Sequence, residues 1–181
     1  MNTLTKRKNG FTLIELLVVI AIISLLASVV ISSFNGVRSK LRNVKTRAEL
    51  RQILIALELV KNSTGKYPLS ASSGANWSCL KPSGTCYRGS YSALPAQSIT
   101  ELAPYLPTIP LIAVDAPTGC WMNDSYLYIS NRSPLAGLGP GAWIIWAKEG
   151  TGAFAPGECY GYDAGSYDCN LRYCYQFIGS N

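Results

Sequence analysis

From Phe11 to Phe34 the chain runs for 24 residues in which Glu15 is the one charged side chain and the rest are apolar or small. As a helix at about 1.5 Å per residue this run would reach about 36 Å, more than the hydrocarbon core of a bilayer at about 30 Å. A segment this apolar on every side must lie in lipid or inside other protein. It is longer than the apolar stretch of an ordinary secretory signal, about 7–15 residues, although Ala27 in "SLLAS" offers a small residue of the kind a signal peptidase reads. Glu15 is the anomaly. A carboxylate deep in such a segment costs about 2.5–3.5 kcal/mol on insertion scales, so it is a functional position that asks for a partner. The plainer alternative is a polar residue near one interface, reaching the headgroups.

Charge is placed around this run and not spread over the chain. Lys6, Arg7 and Lys8 precede it, and Arg38, Lys40, Arg42, Lys45, Arg47 and Arg51 follow it. From Asn62 onward six basic residues face seven acidic ones, so the net charge of +6 belongs to the flanks. Positive charge beside an apolar segment suits phospholipid headgroups or neighbouring subunits better than nucleic acid. The basic flank after the run reads as a solvated helix face, with acidic surfaces of neighbours as the sharper alternative. Glu49 and Glu58 are too few to neutralise it within the stem.

The chain has no histidine, which removes Ser-His-Asp and Cys-His pairs and histidine metal sites together. No nucleophile and base pair and no metal cluster can be assembled, so the expectation is a protein that is not an enzyme and holds no cofactor. Six cysteines, Cys79, Cys86, Cys120, Cys159, Cys169 and Cys174, all follow the apolar run, and none forms a C-x-x-C pair. An even set of this kind reads as a disulfide framework in an oxidising compartment, with 15 connectivities open.

Beyond Gly36 helical periodicity resumes. Val37, Leu41, Val44 and Ala48, then Leu50, Ile53, Leu54, Leu57 and Val60, recur at three- and four-residue steps. They predict one apolar face docked on a globular domain, with the basic residues on the other face. "NSTGKYP" stops the helix, with Gly65 as its cap and Pro68 just beyond. Residues 69–98 are rich in Ser, Gly, Ala and Pro and read as a surface loop closed by a local bridge between Cys79 and Cys86. "ITELAPYL" predicts a short helical turn. "SYLYIS" and "AWIIWAKE" read as two antiparallel strands joined by a loop, and "YCYQFI" as a third. Between the last two lies a Gly- and Tyr-rich segment that depends on bridges. Tyr160, Tyr162, Tyr167, Tyr173 and Tyr175 are expected to pack the small sheet and its bridged loop.

The basic tripeptide, Gly10, and then "FTLIEL" resemble the leader and N-terminal signature of type IV pilins and pseudopilins. The match is tight from Gly10 to Leu16 and continues in character to about Val60. The resemblance implies an α+β fold: a long N-terminal helix packed on a small antiparallel sheet with disulfide-bridged loops. It divides the chain into a leader over residues 1–10, a transmembrane or filament-core helix over 11–36, an amphipathic helix over 37–64 and a globular head over 65–181. It further implies that a prepilin peptidase cuts between Gly10 and Phe11 and methylates the new amino group of Phe11. Glu15 would then set assembly register by meeting that ammonium, on its own chain or a neighbour. Such buried pairs are better at fixing register than at adding stability. The leader places the N-terminus in the cytoplasm, against the positive-inside count of three basic residues before the run and six after it.

Partners implied by the resemblance are the chain itself in a helical homopolymer, the peptidase and methylase, the inner membrane and an inner-membrane assembly platform. No nucleic acid is expected. Many relatives carry a proline about twenty residues into the mature helix; this chain has "SVVISSFNG" there. "YP" at Tyr67 and Pro68 and "PYLPTIP" leading to Asp115 are similar to the secretion-type pseudopilins, some of which hold calcium on a C-terminal loop. Asp115, Asp124, Asp163 and Asp168 are the candidates for that, though without a recognised loop spacing, and solvated loop aspartates are the simpler reading. Two functions remain: a pilin that polymerises into an extracellular fibre for adhesion, twitching or DNA uptake, and a pseudopilin or minor pilin of a secretion or assembly machine. Disulfide-bridged loops favour the fibre, which is the expectation carried forward.

Overall fold

The computed structural model describes residues 11–70, 76–86, 90–112, 120, 125–134, 137–166 and 169–180. The chain divides into two units, Met1–Arg38 and Ser39–Asn181. The elements in order are α1 (Leu13–Thr64), β1 (Ser78–Cys79), β2 (Thr85–Cys86), β3 (Tyr91–Ser92), α2 (Ala96–Leu102), β4 (Leu127–Arg132), β5 (Gly141–Glu149), β6 (Gly161–Ser166) and β7 (Leu171–Gly179). This is the α+β arrangement of a long N-terminal helix and an antiparallel sheet with disulfide-tied loops.

In the first unit the described helical residues expose their side chains. Leu13, Ile14, Leu16, Leu17, Ile20, Ile23 and Leu26 all stand open, and this part of α1 is long and apolar enough to cross a membrane. Two of its hydroxyls are compatible with that medium. Ser24 donates to the carbonyl of Ile20 and Ser28 to that of Leu25, both at 2.7 Å. Neither side chain therefore needs water.

In the second unit Leu50, Ile53, Ala56, Leu57 and Val60 of α1 are buried in a core shared with the sheet. Gly65, at φ +83°, accepts the left-handed turn that ends the helix, and its N–H bonds the Lys61 carbonyl at 2.8 Å. The five-stranded sheet has the order β1, β4, β5, β7, β6, with every pairing antiparallel, and β2 and β3 form a separate two-stranded ribbon. β5 is central and buried from Gly141 to Ala147. Trp146, in the cluster with Leu50 and Leu57, lies against Phe154 at 5.0 Å between ring centroids. On the other face Trp143 opposes Phe177 at 5.1 Å, and Ile145 opposes Tyr175. The Arg132 guanidinium lies over both Trp77 and Tyr175.

All six cysteines pair: Cys79 with Cys86, Cys120 with Cys169 and Cys159 with Cys174. The last bridge holds the Gly- and Tyr-rich segment against β7, and that segment forms β6, a strand that its composition conceals. At Gly161 a Cβ would fall 2.0 Å from the Tyr175 carbonyl oxygen, so only glycine allows β6 to close on β7 there. Of the tyrosines expected to pack here, Tyr173 is buried and Tyr175 partly so, but Tyr160 and Tyr162 are exposed; Tyr167 lies outside the described residues.

The expected single apolar stripe is corrected. Leu41, Val44 and Ala48 do not share the docked face of Leu50, Ile53, Leu57 and Val60; they are exposed, as are Ile55 and Leu59. Positions 41, 44, 48, 55 and 59 recur at helical spacing, with Gln52 on the same line, and form a second stripe directed away from the core. Both stripes obey the same three- and four-residue steps, so periodicity alone merges them.

Candidate processing and assembly site

The chemistry that the sequence singles out gathers at the start of α1. Gly10 lies outside the described residues, and Phe11 is exposed. Thr12 immediately precedes the first helical residue, and Glu15 stands three positions on. The Glu15 carboxylate accepts the Thr12 backbone N–H at 2.9 Å and its hydroxyl at 2.8 Å, while the Glu15 N–H reaches the Thr12 hydroxyl at 3.3 Å. This is a capping box: side chain and backbone satisfy each other's orphan groups at a helix N-terminus. An acidic group there also suits the positive end of the helix dipole.

In the single chain, then, the partner of Glu15 is Thr12, a residue that the motif contains and that the sequence reading passed over. The signal was available as T-x-x-E directly before an apolar helix. The Phe11 ammonium arises only once the Gly10–Phe11 bond is cut. Thr12 gives the carboxylate a local pair of donors before any neighbouring subunit is met, which lowers the cost of holding it in an apolar setting.

Farther along α1 the basic stem is organised in a way that charge counting does not reveal. Arg42 forms a two-pronged ion pair with Glu149 at the end of β5, with Nη2 at 2.8 Å from Oε2. Next to it Asn43 treats the strand end as a strand would: its amide donates to the Glu149 carbonyl at 3.1 Å and accepts the Glu149 N–H at 2.7 Å. Arg47 reaches Glu158 at 2.6 Å, and Lys148 approaches the same carboxylate at 3.4 Å. Glu158 also accepts the Ala155 N–H at 2.7 Å. That backbone bond, ahead of the two cations, holds the Glu158 carboxyl below its ordinary value. The reading of the stem as a solvated face is therefore corrected at Arg42 and Arg47, whose counter-charges come from the head.

Tyrosines fasten the same helix to the head. The Tyr126 hydroxyl donates toward the Thr46 carbonyl at 3.1 Å and Glu49 at 3.3 Å, and that of Tyr67 donates to Glu58. Burial, and then the neighbouring glutamates, push both phenols far above their ordinary range, so they remain donors at any physiological pH.

Of the aspartates considered for calcium, Asp115, Asp124 and Asp168 lie outside the described residues. Asp163 is committed to Arg172, whose guanidinium donates to it at 2.8 to 3.1 Å and holds its carboxyl below the usual range. Among the described residues no group of three or more His, Cys, Asp or Glu side chains is placed to hold a metal ion.

Comparison with known proteins agrees with the geometry at the N-terminus. Residues 5–31 match the family model described as the prokaryotic N-terminal methylation motif. The chain is similar to the type II secretion system core protein G of Aeromonas hydrophila, 35% identical over 63 residues, which are 35% of this chain and 44% of that protein. Its likeness to the core protein G of Klebsiella pneumoniae is 36% over 63 residues, 35% of this chain and 45% of the relative. That of Pectobacterium carotovorum subsp. carotovorum is 36% identical over 62 residues, 34% of this chain and 40% of the relative. The chain thus spans less than half the length of these relatives. No solved structure matches it significantly. The chain thus carries the prokaryotic N-terminal methylation motif, is similar over about a third of its length to secretion-system core G proteins, and packs a long helix on an antiparallel, disulfide-tied sheet in the manner of the type IV pilin fold.

Proposed function

We propose that the chain is a pseudopilin, a non-catalytic subunit that inserts through the apolar part of α1, is cut between Gly10 and Phe11, is methylated on Phe11, and polymerises through α1 into a short filament that serves secretion. The observation that carries polymerisation is the unpartnered surface of α1. Its apolar side chains from Leu13 to Phe34 are exposed, and so is the second stripe from Leu41 to Leu59. A single chain cannot bury either, whereas a bundle of like helices can. The likeness to three secretion-system core G proteins favours the secretion machine over the extracellular fibre expected from the sequence. The fibre remains a second reading on one observation, the three disulfides of the head, which suit exposure outside the cell. Peptidase, assembly platform and further copies of the chain are the partners that this function requires.

The deciding experiment is to shear cells of the source organism, collect filaments, and identify subunits and their N-terminal residues in the sheared and envelope fractions by mass spectrometry. The pseudopilin reading expects a chain that begins with N-methyl-phenylalanine at Phe11, found in the envelope and absent from the sheared fraction. A sheared fraction dominated by this chain would establish the fibre instead. A Gly10→Val variant should persist uncut in the membrane; a normal mature N-terminus in that variant would overturn the cleavage assignment.

A further inference from the structure

Within the second unit almost every described carboxylate is settled inside the chain. Glu49, Glu149, Glu158 and Asp163 each face a cation, and Glu58 accepts the Tyr67 hydroxyl. Glu101 is left with a neutral donor, the Gln97 amide at 2.9 Å. It is also badly placed for a carboxylate. It stands one residue from the C-terminal end of α2, where the helix dipole is negative, and no basic residue lies in that last turn. A cation from outside the chain would relieve it.

The matching cation is on α1. Arg51 is exposed and has no carboxylate among the described residues. Arg47, one turn before it, adds like charge at the i,i+4 spacing, and Glu158 answers Arg47 alone. Lys40 and Lys66 also lack a described carboxylate, but Arg51 borders a recess of about 280 Å³ whose lining includes Leu50, Leu54, Trp146 and Pro156. Just after Glu101 the chain offers an apolar counterpart: Ala103, Pro104 and Tyr105 are all exposed, Tyr105 to 40%.

Resting on the polymerisation proposed above, we infer that Arg51 of one copy pairs with Glu101 of the next, and that residues 103–105 of that next copy seat against the recess beside Arg51. The occupant is a second copy of this chain because the chain carries both halves of the match and satisfies neither alone. The two surfaces are different patches of one molecule, so the contact is heterologous. Each copy offers one of each, and the contact propagates into an open array, whereas a self-complementary patch would close a dimer. A guanidinium fork on a carboxylate also fixes orientation and register, which apolar helix faces by themselves leave loose.

The test uses the full chain overproduced in its own host, with filaments collected from the sheared and envelope fractions and the denaturation midpoint of the head measured in parallel. Arg51→Glu and Glu101→Arg should each lower filament yield by at least about tenfold, and the double variant should return it to within about twofold of wild type. Lys66→Glu, which reverses an exposed cation outside the recess, should keep the wild-type yield. The midpoint should stay unchanged in all four, because none of these side chains is buried. In envelopes of an Arg51→Lys variant, a carbodiimide, which joins amines to carboxylates in contact, should link position 51 of one chain to Glu101 of another in the dimer band. Wild-type yield in either single reversal, a loss that the double variant does not restore, or an equal loss in Lys66→Glu would each overturn the pairing while the filament stands. A lowered midpoint in the single variants would overturn it too, by giving both residues a role within the fold. No filament from the wild type in either fraction would remove the polymerisation reading itself, and this contact with it.

Discussion

Two stretches of one helix obey opposite economies of side-chain contact. Between Thr12 and Val37 the described apolar side chains of this region are exposed, and Thr12, Glu15, Ser24 and Ser28 find their hydrogen bonds within the same segment. Between Arg42 and Val60 the helix is fastened to other elements by Arg42, Asn43, Arg47, Tyr126 and the buried line Leu50, Ile53, Leu57 and Val60. The same secondary structure is thus self-sufficient in one part and dependent on tertiary contacts in the other. For the function proposed above, a segment that is to pass from lipid to neighbouring helices is best self-sufficient, whereas a segment that fastens the head needs many contacts.

The sharpest way to break this contrast is at Trp146. Trp146→Ala should cost the head about 3–5 kcal/mol, read as a lower denaturation midpoint, while the methylation motif is still cut and the chain still fractionates with membranes. Loss of cleavage as well would show that the two regions are coupled. Next in size, Cys159→Ser with Cys174→Ser should cost about 3 kcal/mol, the loop-closure value for a 15-residue separation, and should expose β6 to proteolysis before the rest of the sheet.

Smaller in stability but decisive for assembly, Ile55→Lys with Leu59→Lys should shift head stability by no more than about 0.5 kcal/mol per site, because both side chains already face out. Filament yield should fall at least tenfold; wild-type yield would remove the second stripe from the assembly surface. Mildest is the acid response. Glu158 has a carboxyl held below its ordinary value of 4.5, so its contribution is full above that value and is lost as pH falls through the lower folded value. Glu158→Gln should therefore lower stability near neutrality and flatten the acid limb below about pH 4.5, where wild type and variant converge. An acid limb equally steep in the variant would assign it to other carboxylates, Asp163 among them.

The sequence made the long helix, its end at Gly65, the main strands and the existence of a disulfide framework legible, because each rests on a local signal: apolar length, a glycine followed by proline, alternating aromatic and β-branched residues, an even cysteine count. What it withheld was relational. β6 lies in a segment whose glycines and tyrosines read as loop, and it becomes a strand because Cys159 is tied to Cys174 and Gly161 fits against Tyr175. The two stripes of α1 share one periodicity, and only the position of the sheet shows which of them is buried. Arg42 and Arg47 look unpaired until Glu149 and Glu158, more than a hundred residues away, are brought beside them. At the candidate site the added contact is local: Thr12, three residues before Glu15, pairs with it in the uncut chain through a T-x-x-E signal, beside the Phe11 ammonium expected of the processed subunit.

The margins of the sheet carry a further consequence. One edge is β1, only two residues long; the other is β6, whose pairing shifts register between Asp163 and Gly165 and whose start is stapled through Cys159. A short strand and an irregular one are poor templates for adding a foreign strand. In the filament proposed above, where heads would be crowded at high local concentration, such edges would let each head lie beside the next without fusing into continuous sheet.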